Sequence, residues 1–317
     1  VSAINSNSST DKLRSSLRKV HWPVGMPTVT KSQFSGFKVL EEVDLPRGVR
    51  AIDASAFLNC PMIRNLVLPA TLTEIGFQAF RGCTALESVS FPENLVTIGA
   101  SSFAECESLR SVTIPDSVRL IDDSAFSACK DLRSVLLGRN LRKLGVSVFN
   151  NCVMLSSVEM QEGLEDIGSN AFTFTSIEEL ILPDSVRILP SGAIKSNNNK
   201  DPLMDSLRKV HWPSGIRRLT DNQFSGFPAL REVEIPEGVT AIGISAFESC
   251  GALQQITLPA SVTEIGNKAF RNCIGMTAVT LTEGLKTIGE YAFYDCDKLA
   301  TLSFSGTRLR TIGFKAF

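Results

Sequence analysis

Leu109 to Asp131 reads LRSVTIPDSVRLIDDSAFSACKD, and the spacing within this stretch decides the fold. Leu109, Val112 and Ile114 set apolar side chains between polar ones, the pattern of a short strand with one buried face. Pro115 follows at once; it lacks an N–H and fixes φ, so strand pairing ends there. Val118 and Ile121 then return to the inside. Asp123 and Ser124 precede Ala125-Phe126 and predict side-chain capping of a short helical turn. Phe126 fills the interior, and Cys129, three residues on, shares its face of that turn.

Outward from this unit the same grammar recurs every 23 residues, with Phe34, Phe57, Phe80, Phe103, Phe126, Phe149 and Phe172, then Phe224, Phe247, Phe270 and Phe293. Phe317 closes the chain one residue late. A fixed period of about 20 to 50 residues marks a solenoid. No unit buries its inner face alone, but stacked neighbours share one continuous core, with strands about 4.8 Å apart. Strand starts at Leu17, Leu40, Ile63, Leu86, Leu109, Leu132, Leu155 and Ile177, then Leu207, Leu230, Leu253, Met276 and Leu299, predict thirteen coils. Such a stack is on the order of 60 Å long. The expected fold is a right-handed α/β solenoid whose bulkier helical side curves the parallel sheet onto the concave face. Its components are an irregular stretch 1–16 holding a partial preceding repeat, repeats 1–8 over 17–194, a polar loop over 195–206, and repeats 9–13 over 207–317, truncated at the C-terminus.

Leu258 to Cys273 (LPASVTEIGNKAFRNC) and Ile235 to Cys250 (IPEGVTAIGISAFESC) carry the pattern from strand end to cysteine. This grammar resembles the BspA-like leucine-rich repeats from about Leu17 to Phe317. The resemblance implies a surface or secreted module of adhesion or protein binding.

A larger duplication lies above the repeat. Ser16 to Pro23 (SLRKVHWP) recurs as Ser206 to Pro213, 190 residues later, and the two copies hold the only His and Trp residues of the chain. QFSGF recurs at 33–37 and 223–227. Neither end supplies a polar capping unit, so the array is expected to continue beyond both. No secretory signal or transmembrane run is present, which is uninformative for a segment.

A net charge of −1 and a pI near 6.3 argue against a dedicated nucleic-acid binder or a basic membrane-binding surface. Cys60, Cys83, Cys106, Cys129, Cys152, Cys250, Cys273 and Cys296 each lie three residues after a repeat Phe. Neighbouring coils would bring them about 5 Å apart, within disulfide reach, but parallel side chains oppose the S–S dihedral near 90°. Reduced thiols in a buried ladder are the preferred reading. Without a CxxC pair, or a His at that position, no metal site is expected. Catalysis has no plausible base, because both His residues belong to the duplication. The Ile-Gly elements, such as Ile98-Gly99, are turns, not a phosphate loop. No cofactor is expected.

The candidate binding surface is therefore the outward row of the strands. It comprises His21, Asp44, Val67, Ser90, Thr113, Leu136, Glu159, Ile181, His211, Glu234, Thr257, Thr280 and Ser303. The apolar members Val67, Leu136 and Ile181 either mark a contact or are ordinary exposed aliphatics. Trp22 and Trp212 take inward positions and are expected in the core. Arg50, Arg119, Arg142, Lys143, Arg187, Arg217, Arg218, Lys286 and Arg310 line the turns as a basic strip suited to an anionic glycan, anionic lipid or acidic protein. Glu74, Glu165, Asp166 and Glu264 interrupt it, which reads equally as a solvated mixed face. Asn7-Ser8-Ser9 is a lone glycosylation sequon. The function expected is a non-enzymatic protein-binding or adhesion module at the cell surface; the alternative is a scaffold or spacer docked in a larger assembly.

Overall fold

A computed structural model describes residues 12–187, 189–194, 200–306 and 308–317. The sequon and most of the N-terminal stretch, with 195–199 of the polar loop, lie outside the described residues. Two compact units result, Val1–Thr175 and Ser176–Phe317.

Each repeat opens with a strand of three or four residues whose middle side chain points inward and whose flanks point out. In the first unit these strands run from Lys19–His21 to Ser157–Glu159, and in the second from Glu179–Ile181 to Thr301–Phe304. Thirteen such strands are present among the described residues, one for each coil expected from the sequence. After each Pro-containing corner comes a second strand of two residues, such as Leu120–Ile121. Seven of these make one sheet in the first unit and five another in the second. All pairings are parallel and in repeat register: Val135 sits between Val112 and Val158. Leu180 pairs with Val210 across the insertion.

The third side corrects an expectation. No helical turn follows Asp123-Ser124. Ser124 and Ala128 adopt φ of 56° and 60°, left-handed values that a right-handed helix cannot contain. Alternate N–H groups serve two directions instead. Ala125 and Ser127 donate back to Asp122 and Ser124 in tight turns, while Ser124, Phe126 and Ala128 donate to Val146, Val148 and Asn150 of the next coil. Asp123 does not cap a helix; its Oδ1 accepts from Val146 N at 2.7 Å, tying two coils together. The repeats thus form a parallel β-solenoid bonded on three sides, and the bulky helical layer invoked for curvature is not there among the described residues. Helix occurs at the insertion, where Asp201 caps Pro202–Ser206 and buries Leu203 and Met204. The Ser206 hydroxyl donates to Ile177 O at 3.0 Å.

Inside, the repeat phenylalanines stack nearly parallel, with centroids 5.2 Å apart for Phe57–Phe80 and 5.9 Å for Phe126–Phe149. The coils also approach closely at the Ile-Gly turn: a Cβ on Gly168 would lie 2.5 Å from the Gly145 carbonyl. Three other phenylalanines are buried outside the ladder, Phe37, Phe91 and Phe227. The first-strand ladder is broken within the units at three places: 42–44 against 65–67, 88–90 against 111–113, and 232–234 against 255–257. Each break lies beside one of the three. Phe37 and Phe227 occupy the position that carries Cys in the next coil, and Phe91 lies at the end of its strand, above Cys83 and Cys106. The interior stack is undisturbed beside the first break, where Phe34 and Phe57 lie 5.2 Å apart.

Candidate binding face

Period two along a strand sends residues one and three outward, so each coil presents two side chains on the first-strand face. Of the residues named from sequence, His211 and Thr280 are half-buried and the rest are exposed. Val67, at 74%, and Ile181, at 56%, are far more open than aliphatic side chains usually are, and Leu136 is at 37%. The first-position row, which sequence reasoning passed over, is readable from the same period. It runs Lys19, Glu42, Asn65, Ser88, Ser111, Ser134, Ser157, then Glu179, Lys209, Glu232, Gln255, Ala278 and Thr301.

The two rows together show where charge concentrates. Each duplicated block begins with a dense cross-coil array, while Ser88 to Thr113 carries only hydroxyls. In the first block, Lys19 pairs with Glu42, and His21 Nδ1 lies 3.1 Å from Asp44. In the second, Lys209 reaches Glu232 at 3.3 Å and Glu234 at 3.8 Å. His211 stands between Glu179, at 2.9 Å, and Glu234, at 3.2 Å. The hydrogen bonds that Lys19 and Lys209 donate to Glu42 and Glu232 hold their ammonium groups above the usual lysine range. These pairs are solvent-exposed, so each contributes little to stability.

At two of the ladder breaks the face opens into a cleft. One, about 710 Å³, is lined by Val43, Asp44, Met62, Arg64, Asn65 and Val67 among others. The other, about 870 Å³, is lined by Glu232, Val233, Glu234, Gln255, Thr257 and Pro259 among others. They occupy equivalent places in the 190-residue duplication.

Trp22 and Trp212 are buried, set edge-to-face against Phe34 and Phe224 at 5.8 and 5.4 Å. The eight cysteines are free and buried. Each Sγ donates to a phenylalanine carbonyl one coil below, Cys129 to Phe103 O at 3.2 Å for example. Burial pushes the Cys60 thiol up to about 12 and raises Cys83, Cys106 and Cys129 as well. The basic strip is partly neutralised: Arg142 meets Glu165 at 2.9 Å and Lys143 meets Asp166 at 3.5 Å. Among the described residues no group of three His, Cys, Asp or Glu could hold a metal ion, and no helix is long and apolar enough to cross a membrane.

A leucine-rich repeat protein from Bacteroides ovatus is similar in structure, 28% identical over 87% of this chain and 81% of its own, with a TM-score of 0.53. A leucine-rich cell surface protein from Faecalibacterium prausnitzii is 24% identical over 82% of this chain and 84% of its own, with a TM-score of 0.49. Among curated proteins, none matches. The family model for the BspA-type leucine-rich repeat region matches residues 12–133, 78–200 and 203–317, in six copies. By repeat, by fold and by that match, the chain belongs to the BspA-type leucine-rich repeat family.

Proposed function

We propose that the chain is a non-enzymatic protein-binding or adhesion module of a cell surface, and that its partner protein lies across the first-strand face. One observation carries this reading. The face holds two rows of outward side chains on a hydrogen-bonded backbone, and three of them, Val67, Leu136 and Ile181, are exposed aliphatics. A rigid surface loses little entropy when a partner docks. Family resemblance supports the adhesion half of the reading as an analogy of fold.

A scaffold subunit is the second reading, favoured by a different observation. Phe77, Val146, Ile244 and Phe314, each following an Ile-Gly or Leu-Gly turn, are exposed at 52, 43, 45 and 62%. They lie off the first-strand face. Permanent docking would bury well over about 1,000 Å². Isolation from the native source at high salt, followed by sizing, separates the two readings. A monomer that recaptures its partner reversibly, and loses it on Leu136→Glu with Ile181→Glu, supports binding by the first-strand face. A complex that survives high salt and those substitutions but dissociates on Phe77→Ser with Ile244→Ser supports the scaffold.

A further inference from the structure

We propose that Tyr291, Tyr294 and Phe314 form an aromatic site for a trimethylammonium group, a place that the chain's own Lys315 takes in the structure. The site lies off the first-strand face, on the third side of the coils that begin at Met276 and Leu299, and does not rest on the binding reading above.

Ring geometry is the first argument. The chain has two tyrosines, and both are here. Tyr291 meets Tyr294 edge-to-face, with centroids 5.4 Å apart and planes at 85°. It meets Phe314 in the same way, at 5.7 Å and 81°. One ring thus stands at right angles to two others. The Lys315 ammonium lies 5.7 Å from the Tyr294 centroid and 5.6 Å from that of Phe314. Both distances fall within reach of the attraction between a cation and a ring quadrupole. Phe314 is 62% exposed and the tyrosines are half-buried, so the rings are open to an arriving ligand. Tyr291 N donates to Phe314 O at 3.0 Å, which ties together the two coils that carry them.

Backbone conformation gives an independent argument. Tyr291 adopts φ of 57°, a left-handed value. The same place in other coils is also left-handed, but it is held mostly by Ser or Asn, as at Ser55, Ser124, Asn170 and Ser245. A bulky aromatic side chain is rarely found in that region, and strain of this kind collects at functional sites. Phe314 is also larger than some residues at its own place, Ala54 and Ala100 for example. Neither ring is needed to build a coil.

The resident cation points to the ligand. A lysine ammonium is compact, strongly hydrated and carried on a flexible stem, so it gains little from rings that leave it open to water. A trimethylammonium group bears the same charge, is weakly hydrated, and buries apolar methyl surface against the rings as well. Exchange of one cation for the other therefore favours the ligand.

The probe is choline, titrated into the intact chain and followed through the shift of its methyl proton resonance. Its neutral isostere 3,3-dimethylbutan-1-ol and phosphocholine are titrated beside it. Choline should give a saturable upfield shift, and the isostere should bind about fivefold more weakly or worse. Tyr291→Ser and Phe314→Ala restore residues that other coils carry, so the fold should survive, and each should weaken choline by about fivefold or more. Thermal unfolding checks this, since Tyr291→Ser relieves its backbone and should not lower the midpoint. Lys315→Ala removes the competing occupant and should tighten choline by about twofold or more. Absence of a saturable shift, equal binding of the neutral isostere, affinity untouched by both ring substitutions, or no tightening on Lys315→Ala would overturn the proposal. Tighter binding of choline than of phosphocholine assigns the group to a free small molecule, and the reverse order to a phosphocholine headgroup; both orders support the site.

Discussion

Coils joined at Ser111–Thr113, Ser134–Leu136 and Ser157–Glu159 form a closed ladder, while the strands Glu42–Asp44 and Asn65–Val67 do not pair at all. Both regions share the repeat, the second-strand sheet and the phenylalanine stack. They differ at the position three residues after the Phe: Cys106, Cys129 and Cys152 underlie the closed ladder, and Phe37 underlies the open one. The same contrast appears in the second unit, where Phe227 precedes the break and Cys250, Cys273 and Cys296 follow it. A bulky ring at that position accompanies these two breaks, while the break between Ser88–Ser90 and Ser111–Thr113 lies over Cys83 and Cys106 and beside Phe91, and at each of them the interior rings stay stacked. In a quasi-one-dimensional array each interface is set mainly by its own neighbours, so such a change stays local.

The largest expected effect tests that locality. Phe126 is fully buried between Phe103 and Phe149, and Phe126→Ala should cost about 3 to 5 kcal/mol. Limited proteolysis should then cut first between residues 109 and 150, leaving two protected flanks. Uniform digestion would mean the coils fail together, and the comparison between separate interfaces would lose its basis.

Smaller, and opposite in kind, is crowding. Gly168→Ala pushes a methyl group into the Gly145 carbonyl at 2.5 Å. We expect a loss of about 1 to 3 kcal/mol in urea unfolding. An unchanged midpoint would show that the turn widens without cost.

Phe37→Cys sharpens the contrast directly. Arg64 N–H should gain a ladder partner, and its amide exchange should slow by roughly tenfold, the equivalent of one net hydrogen bond of about 1 kcal/mol. The Gln254 amide, in the other unit, should not change unless Phe227 is replaced.

The cysteine ladder provides the gentlest tests. Native protein should resist alkylation, and denatured protein should take eight labels without reductant; a mass lower by two hydrogens per pair would reveal disulfides instead. Cys129→Ala should cost about 1 kcal/mol, the bond to Phe103 O included. Alkaline pH acts on the same groups. Folding raises Cys60 from its ordinary 9.0 to about 12, so the folded chain holds that proton more tightly than the unfolded one. Stability conferred by the neutral thiol is intact below pH 9 and declines as pH rises from about 9 to 12. A thermal midpoint that rises over this window would contradict burial of the ladder.

Period, register and the inward residues were legible in the chain itself, because a 23-residue repetition of Leu, Val, Ile and Phe leaves only stacking as a way to bury them. The outward row followed from the alternation of a strand. The duplication was equally plain. Three-dimensional structure alone decided what the third side of each coil would be. Asp-Ser-Ala-Phe satisfies the local rules for a helix start, but the N–H groups of Ser124, Phe126 and Ala128 find carbonyls in the next coil, and no local pattern records that partner. It also decided where the face would open. Phe37 and Cys60 look interchangeable as apolar residues in a string; only the stacked coils place Phe37 beside an interrupted ladder, because which strands pair depends on how neighbouring coils pack together.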